Sequence, residues 1–147
     1  PMTDITGIDH IYITVNDLAK SEQFYDTVFG ILGFNKNSFE SGTEKHIQYF
    51  CRHFGYIIRP ARSDTVHNPY SAGLHHLCLR VESIDDVFSV SKNFWKAGIA
   101  VTEPQLYPEY APDYYAFTFT DPDGIRLEIT NYRIERKERH DNWEKME

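Results

Sequence analysis

The chain has 147 residues, 41% hydrophobic and 25% charged, a length and balance that suit one globular domain. Fifteen basic against twenty-two acidic side chains give a net charge of −7, which argues against a partner recognised through a phosphate backbone. No apolar run approaches the roughly 20 residues of a membrane span, and the N-terminus lacks a secretory apolar core. Cys51 and Cys78 have neither zinc-finger spacing nor the density of a disulfide scaffold, so a cytoplasmic location is expected. Ten Tyr and ten Phe make a ring-lined pocket plausible.

In chain order, alternation predicts a first strand over residues 9–15. Asn16-Asp17 supplies N-cap chemistry for a helix to about Phe29, with Leu18, Phe24, Tyr25 and Val28 on one face and Gly30 as its stop. Strands are then expected at 33–37, 45–51 and 56–59, followed by a linker over 60–73 that carries Pro60 and Pro69. The pattern recurs. A strand around His76 to Val81 precedes Ser83 and Asp86, which form a capping box, and a helix with Ile84, Val87, Phe88, Ser91, Phe94 and Trp95 at helical spacing ends at Gly98. Strands at 100–103, 114–120 and 125–130 complete it. The chain therefore reads as α+β: one domain over 1–132 made of two tandem βαβββ modules, about 7–60 and 74–131. Beyond it lies a charged tail, 133–147, anchored by Trp143, which fits a solvated helix or an arm over a neighbouring subunit.

The two halves coincide most closely at Gly7-Ile8-Asp9-His10-Ile11-Tyr12-Ile13-Thr14-Val15 and Gly73-Leu74-His75-His76-Leu77-Cys78-Leu79-Arg80-Val81. Side chains alternate across a strand, so His10, Tyr12 and Thr14 share one face and His76, Cys78 and Arg80 another. Near the end of the second copy, Arg126, Glu128 and Thr130 oppose the aliphatic Ile125, Leu127 and Ile129. The aliphatic faces are expected under the two helices, which leaves both histidines and Glu128 on the open face. Two imidazoles at equivalent points of a repeat plus one carboxylate make a candidate three-ligand metal site. His46, His53, His67 and His140 have no repeat partner and are expected as exposed or hydrogen-bonding residues. His75 lies on the face opposite His76 and is read as structural.

The pattern His10-x4-Val15 leading into Asp17-Leu18-x2-Ser21-x2-Phe24-Tyr25, with the later phrase Asp121-Pro122-Asp123-Gly124-Ile125-Arg126-Leu127-Glu128, resembles the vicinal oxygen chelate superfamily of glyoxalases, bleomycin-resistance proteins and extradiol dioxygenases. The resemblance covers about residues 7–131. It implies that the paired modules form an incomplete, U-shaped, eight-stranded barrel around one divalent metal (Fe, Mn, Zn or Ni) held by His10, His76 and Glu128. It also implies a small-molecule substrate with two adjacent oxygens, and a homodimer in which His10 joins the other two ligands of its own chain or of a partner. Some members have a fourth ligand at the end of the first module. Setting 55–59 beneath 124–128 places Arg59 there, and an arginine cannot ligate a cation. The site then keeps open coordination positions. Arg59 is instead expected to pair with a substrate anion or with a neighbouring acid.

Tyr12 and Cys78, each two residues beyond a ligand, and Arg126, beside Glu128, are the other candidates for contact with substrate. Tyr12 could supply a proton or hold a substrate oxygen, or simply be cavity wall. Cys78 as a nucleophile needs a thiolate-stabilising partner. No general base stands out. Two functions remain open: a metal-dependent dioxygenase, lyase, isomerase or transferase, and a metal-free protein of the bleomycin-resistance type that sequesters a ligand.

Overall fold

The first module follows the expected βαβββ order. In the computed structural model, which describes residues 3–146, β1 (His10–Val15) leads to α1 (Leu18–Ile31) and then to β2 (Asn35–Ser41), β3 (Glu44–Phe50) and β4 (Gly55–Pro60). Residues 1, 2 and 147, at the ends of the expected domain and tail, lie outside the described residues. The sheet order is β1-β4-β3-β2, with β1 parallel to β4 and the other pairs antiparallel. Asp17 caps α1 by accepting from the Lys20 amide at 3.0 Å. Gly30 does not stop the helix. It lies inside α1, and the chain turns at Gly33, whose φ of 80° is open to glycine without strain.

Alternation places the core where expected. Ile13 and Val15 of β1, Tyr56 and Ile58 of β4, and Ile47 and Tyr49 of β3 are buried with Tyr25, Val28 and Phe29 of α1. Tyr25 and Phe29 each lie within ring-packing distance of Tyr49 and Tyr56, and the Tyr56 hydroxyl donates to that of Tyr25 at 2.9 Å.

The chain divides into two compact units between His67 and Asn68. In the second, β5 (Leu77–Val81), α2 (Ile84–Lys96), β6 (Gln105–Leu106), β7 (Tyr115–Thr120) and β8 (Arg126–Asn131) give the sheet order β5-β8-β7-β6, again with the first strand parallel to the last. Among the described residues the eight strands thus make two four-stranded mixed sheets and no closed barrel. The Ser83–Asp86 capping box forms with both of its hydrogen bonds, and Gly98 follows α2 at φ 88°. Val87, Ser91 and Phe94 of α2 are buried, with Phe94 against Phe117 and Phe119; Phe88 and Trp95 face outward. The strand expected at 100–103 is displaced. Among the described residues the strand that pairs with β7 here is Gln105–Leu106, after Pro104, whose missing amide proton keeps it out of a ladder, although the Thr102 amide still donates to the Thr118 carbonyl at 3.0 Å.

The tail forms α3 (Ile134–Asp141) and α4 (Trp143–Met146), neither with a buried residue. Trp143, the expected anchor, is 52% exposed, and the anchor is Arg133, 5% exposed at the N-cap of α3. Its guanidinium donates to the Asn131 carbonyl and lies 4.5 Å from the centre of the Tyr114 ring. Among the described residues, no helix is long and apolar enough to cross a membrane.

Candidate metal centre

His10 opens β1 and His76 immediately precedes β5, so each stands at the mouth of the parallel strand pair of its own module. Each has Nδ1 engaged by the residue just before it. The Asp9 carboxylate lies 2.7 Å from His10 Nδ1, and His75 Nδ1 lies 2.7 Å from His76 Nδ1. The repeat therefore extends to the neighbours that orient the rings, and His75, read from sequence as structural, belongs to that arrangement. With Nδ1 occupied, Nε2 is the open ring nitrogen of each histidine.

In the second unit His76 Nε2 faces Glu128 Oε1 at 3.5 Å. Two donors ~2.1 Å from one cation at a tetrahedral angle would be separated by roughly 3.4 Å, so this pair fits two ligands of one metal ion. Glu128 is held from behind. The Tyr114 hydroxyl donates to Glu128 Oε2 at 2.5 Å, leaving Oε1 toward His76. Burial first, and Glu128 second, push the Tyr114 phenol well above its ordinary pKa of 10.0, so it stays protonated and acts as a donor. His10 belongs to the first unit. Among the described residues, no three His, Cys, Asp or Glu side chains gather to hold a cation.

The polar face of the second module is less open than expected. Thr130 is buried and Glu128 largely so, under Tyr114 and Arg133. Cys78 sits opposite Glu128 in the β5–β8 ladder, and burial, together with the Glu128 charge, pushes its thiol up to about 12. Burial and the neighbouring carboxylate thus both disfavour the thiolate that a nucleophile needs. Arg126 donates to the Tyr70 hydroxyl at 3.0 Å.

On the polar face of the first module, the Tyr12 hydroxyl lies 2.7 Å from Nδ1 of His46. His46 is 3% exposed, and its Nε2 is buried without a hydrogen-bond partner. Of the two roles weighed for Arg59, the ion pair with a neighbouring acid is the one formed, at 2.5 Å from Glu44. Arg62 and Arg59 together hold the Glu44 carboxyl down at about 2.

Strand register also revises the position equivalent to Glu128. Cys78 pairs with Glu128, and Tyr12, the repeat partner of Cys78, pairs with Ile57. Ile57, not Arg59, is thus the structural counterpart of Glu128. The two glycines used to align the segments differ in kind: Gly55 is inside β4 opposite His10, whereas Gly124 is in the turn before β8 at φ 81°. Isoleucine, like arginine, offers a cation no donor.

A family model described as the Glyoxalase/Bleomycin resistance protein/Dioxygenase superfamily matches residues 7–129. The chain is 27% identical over 137 residues to the uncharacterized protein YaeR of Escherichia coli (strain K12), covering 87% of this chain and 98% of YaeR. Among solved structures it is similar to a glyoxylase/bleomycin resistance protein/dioxygenase domain from Frankia sp. EAN1pec, with a TM-score of 0.72 and 25% identity over 88% of this chain and 100% of that one. The fosfomycin resistance protein FosX of Listeria monocytogenes shares the fold, with a TM-score of 0.65 and 18% identity over 91% of this chain and 99% of FosX.

Proposed function

Because the chain belongs to the Glyoxalase/Bleomycin resistance protein/Dioxygenase superfamily, we propose that it is a metal-dependent enzyme whose His10, His76 and Glu128 hold one divalent cation. The observation that carries this reading is the repeated orientation of the two histidines. Asp9 and His75 occupy Nδ1 of His10 and His76, and the freed Nε2 of His76 stands 3.5 Å from a carboxylate oxygen that Tyr114 fixes. A lone strand histidine has no need of such support.

Two imidazoles and one carboxylate leave coordination positions open, a set that suits Fe(II) chemistry with dioxygen or Mn(II), Zn(II) or Ni(II) as a Lewis acid. The substrate is a small organic molecule that presents two adjacent oxygens. Tyr12, half-exposed on the face of His10, offers its hydroxyl to a substrate oxygen, and His46 holds that hydroxyl in place.

Protein purified without chelator is expected to carry close to one Fe, Mn, Ni or Zn per chain by elemental analysis. Less than ~0.2 metal per chain, with no tight uptake on titration, overturns the reading and leaves ligand sequestration without metal, because a built triad binds far more tightly than that. A second measurement probes the support behind Glu128. Tyr114→Phe removes one hydroxyl and is expected to weaken Mn(II) or Zn(II) binding by roughly 10- to 100-fold while the chain stays folded. Unchanged affinity would reduce Tyr114 to a packing residue.

A further inference from the structure

Beside His10 the first module has a cavity of about 320 Å³, within the range of small-molecule sites. Its floor is the polar face of the sheet. His10 of β1, Gln48 and Phe50 of β3, and Gly55 and Ile57 of β4 line it, in agreement with the pairings His10↔Gly55, Gln48↔Ile57 and Phe50↔Gly55. Gly55 keeps the floor low: a Cβ there would lie 3.6 Å from that of His10 and 3.8 Å from the Gln48 amide carbon. The wall is the short connection between β3 and β4, which contributes Cys51, Arg52, His53 and Phe54.

The charges on this wall are unequal. Asp9 also borders the cavity, but its carboxylate is engaged 2.7 Å from His10 Nδ1. Arg52 has no such partner among the described residues. Among the described residues six of the other seven arginines are compensated or stacked: Arg59 and Arg62 on Glu44, Arg133 and Arg136 on Glu135, Arg80 over Tyr132 and Arg126 over Tyr70; Arg139, on α3, is the exception. In a chain of net charge −7, an arginine that borders a cavity beside a candidate metal ligand, its guanidinium unpaired among the described residues, is a binding group for an anion.

We propose that this cavity takes an anionic end of the substrate, with Arg52 as its counter-ion. The proposal rests on the metal reading above and narrows its substrate class to small organic acids. These would carry two adjacent oxygens for the metal and, a few bonds away, a separate carboxylate or phosphonate for Arg52. Gln48 and His53, which also border the cavity, are further residues with hydrogen-bonding side chains on the same surface. Arg59, the cation singled out by sequence, is taken out of this role by Glu44.

The test uses Zn(II)-loaded protein and hydroxamic acids, which present two adjacent oxygens to any open metal position. Calorimetry compares the monohydroxamates of malonic, succinic and glutaric acid with neutral alkyl hydroxamates of the same lengths. The best acidic probe is expected to bind roughly 10- to 100-fold tighter than its neutral counterpart, the range of a charge-assisted contact. Arg52→Gln should bring that ratio close to one, and Arg52→Lys should keep part of it. Arg52 is exposed in a loop, so both variants are expected to fold. A ratio near one in the unaltered protein, or a preference that survives Arg52→Gln, overturns the anion subsite while the metal reading stands. If the protein takes up no metal and neutral hydroxamates fail to bind, the metal reading falls, and the subsite with it.

Discussion

Alanine at position 76 is expected to abolish tight metal binding and to leave the protein folded. The His76 side chain is 44% exposed, and it contributes no apolar area to the core. Its removal therefore opens no cavity and strands no buried charge, since Glu128 keeps the hydrogen bond from Tyr114. What is lost is the nitrogen facing Glu128. A supporting residue costs ~10–100-fold in metal affinity, and a ligand costs more than its support. Elemental analysis after dialysis, alongside a circular dichroism melt, reads both halves of the expectation. Full metal occupancy in His76→Ala would remove this residue from the site, whatever the melt shows.

Phe94→Ala has the largest expected effect on stability. Phe94 is fully buried on the inner face of α2, with ring centroids 5.8 Å from Phe117 and 5.1 Å from Phe119. Truncating a buried phenylalanine costs about 3–5 kcal/mol, a large part of the ~5–15 kcal/mol that holds a typical domain together. The melting temperature should fall by roughly 10–20 °C. Trp95 is the natural control. It is the next residue on the same helix, larger, and 69% exposed; Trp95→Ala should cost under ~1 kcal/mol. Equal losses in the two variants would mean that α2 buries a different face from the one described.

Most of the fold was legible because it rests on short-range rules. Period-two alternation separated His10 and His76 from the aliphatic faces of their strands, and Ser83 with Asp86 announced the start of α2. Errors arose where two local signals competed. Gly30 and Gly33 both offer a stop, and only the one adopting positive φ terminates α1. Gly55 and Gly124 look equivalent as letters, yet one is a strand residue and the other a turn, which shifted the counterpart of Glu128 by two positions. Trp143 looked like an anchor on size alone, whereas Arg133 is held by Tyr114, Asn131 and Glu135 together. Tyr114 was visible as a strand aromatic, but its bond to Glu128 depends on a side chain reaching across from the preceding loop. Nothing in residue spacing encodes that. The orienting role of His75 did leave a trace, since it aligns with Asp9, and only its parity with respect to His76 concealed it.

The parallel pairing at the head of each module has a consequence for how such a centre comes into being. The hairpins β2–β3–β4 and β7–β8 join neighbours in sequence and can form early, whereas β1 must wait for β4 and β5 for β8. Closing those long loops carries the larger entropic cost, so the histidine-bearing strand is the natural last arrival in each module. Its docking sets His10 opposite Gly55 and brings His76 to Glu128. A nascent or partly unravelled module therefore holds its histidine away from its partners, and capture of a cation there would report that the final strand is home.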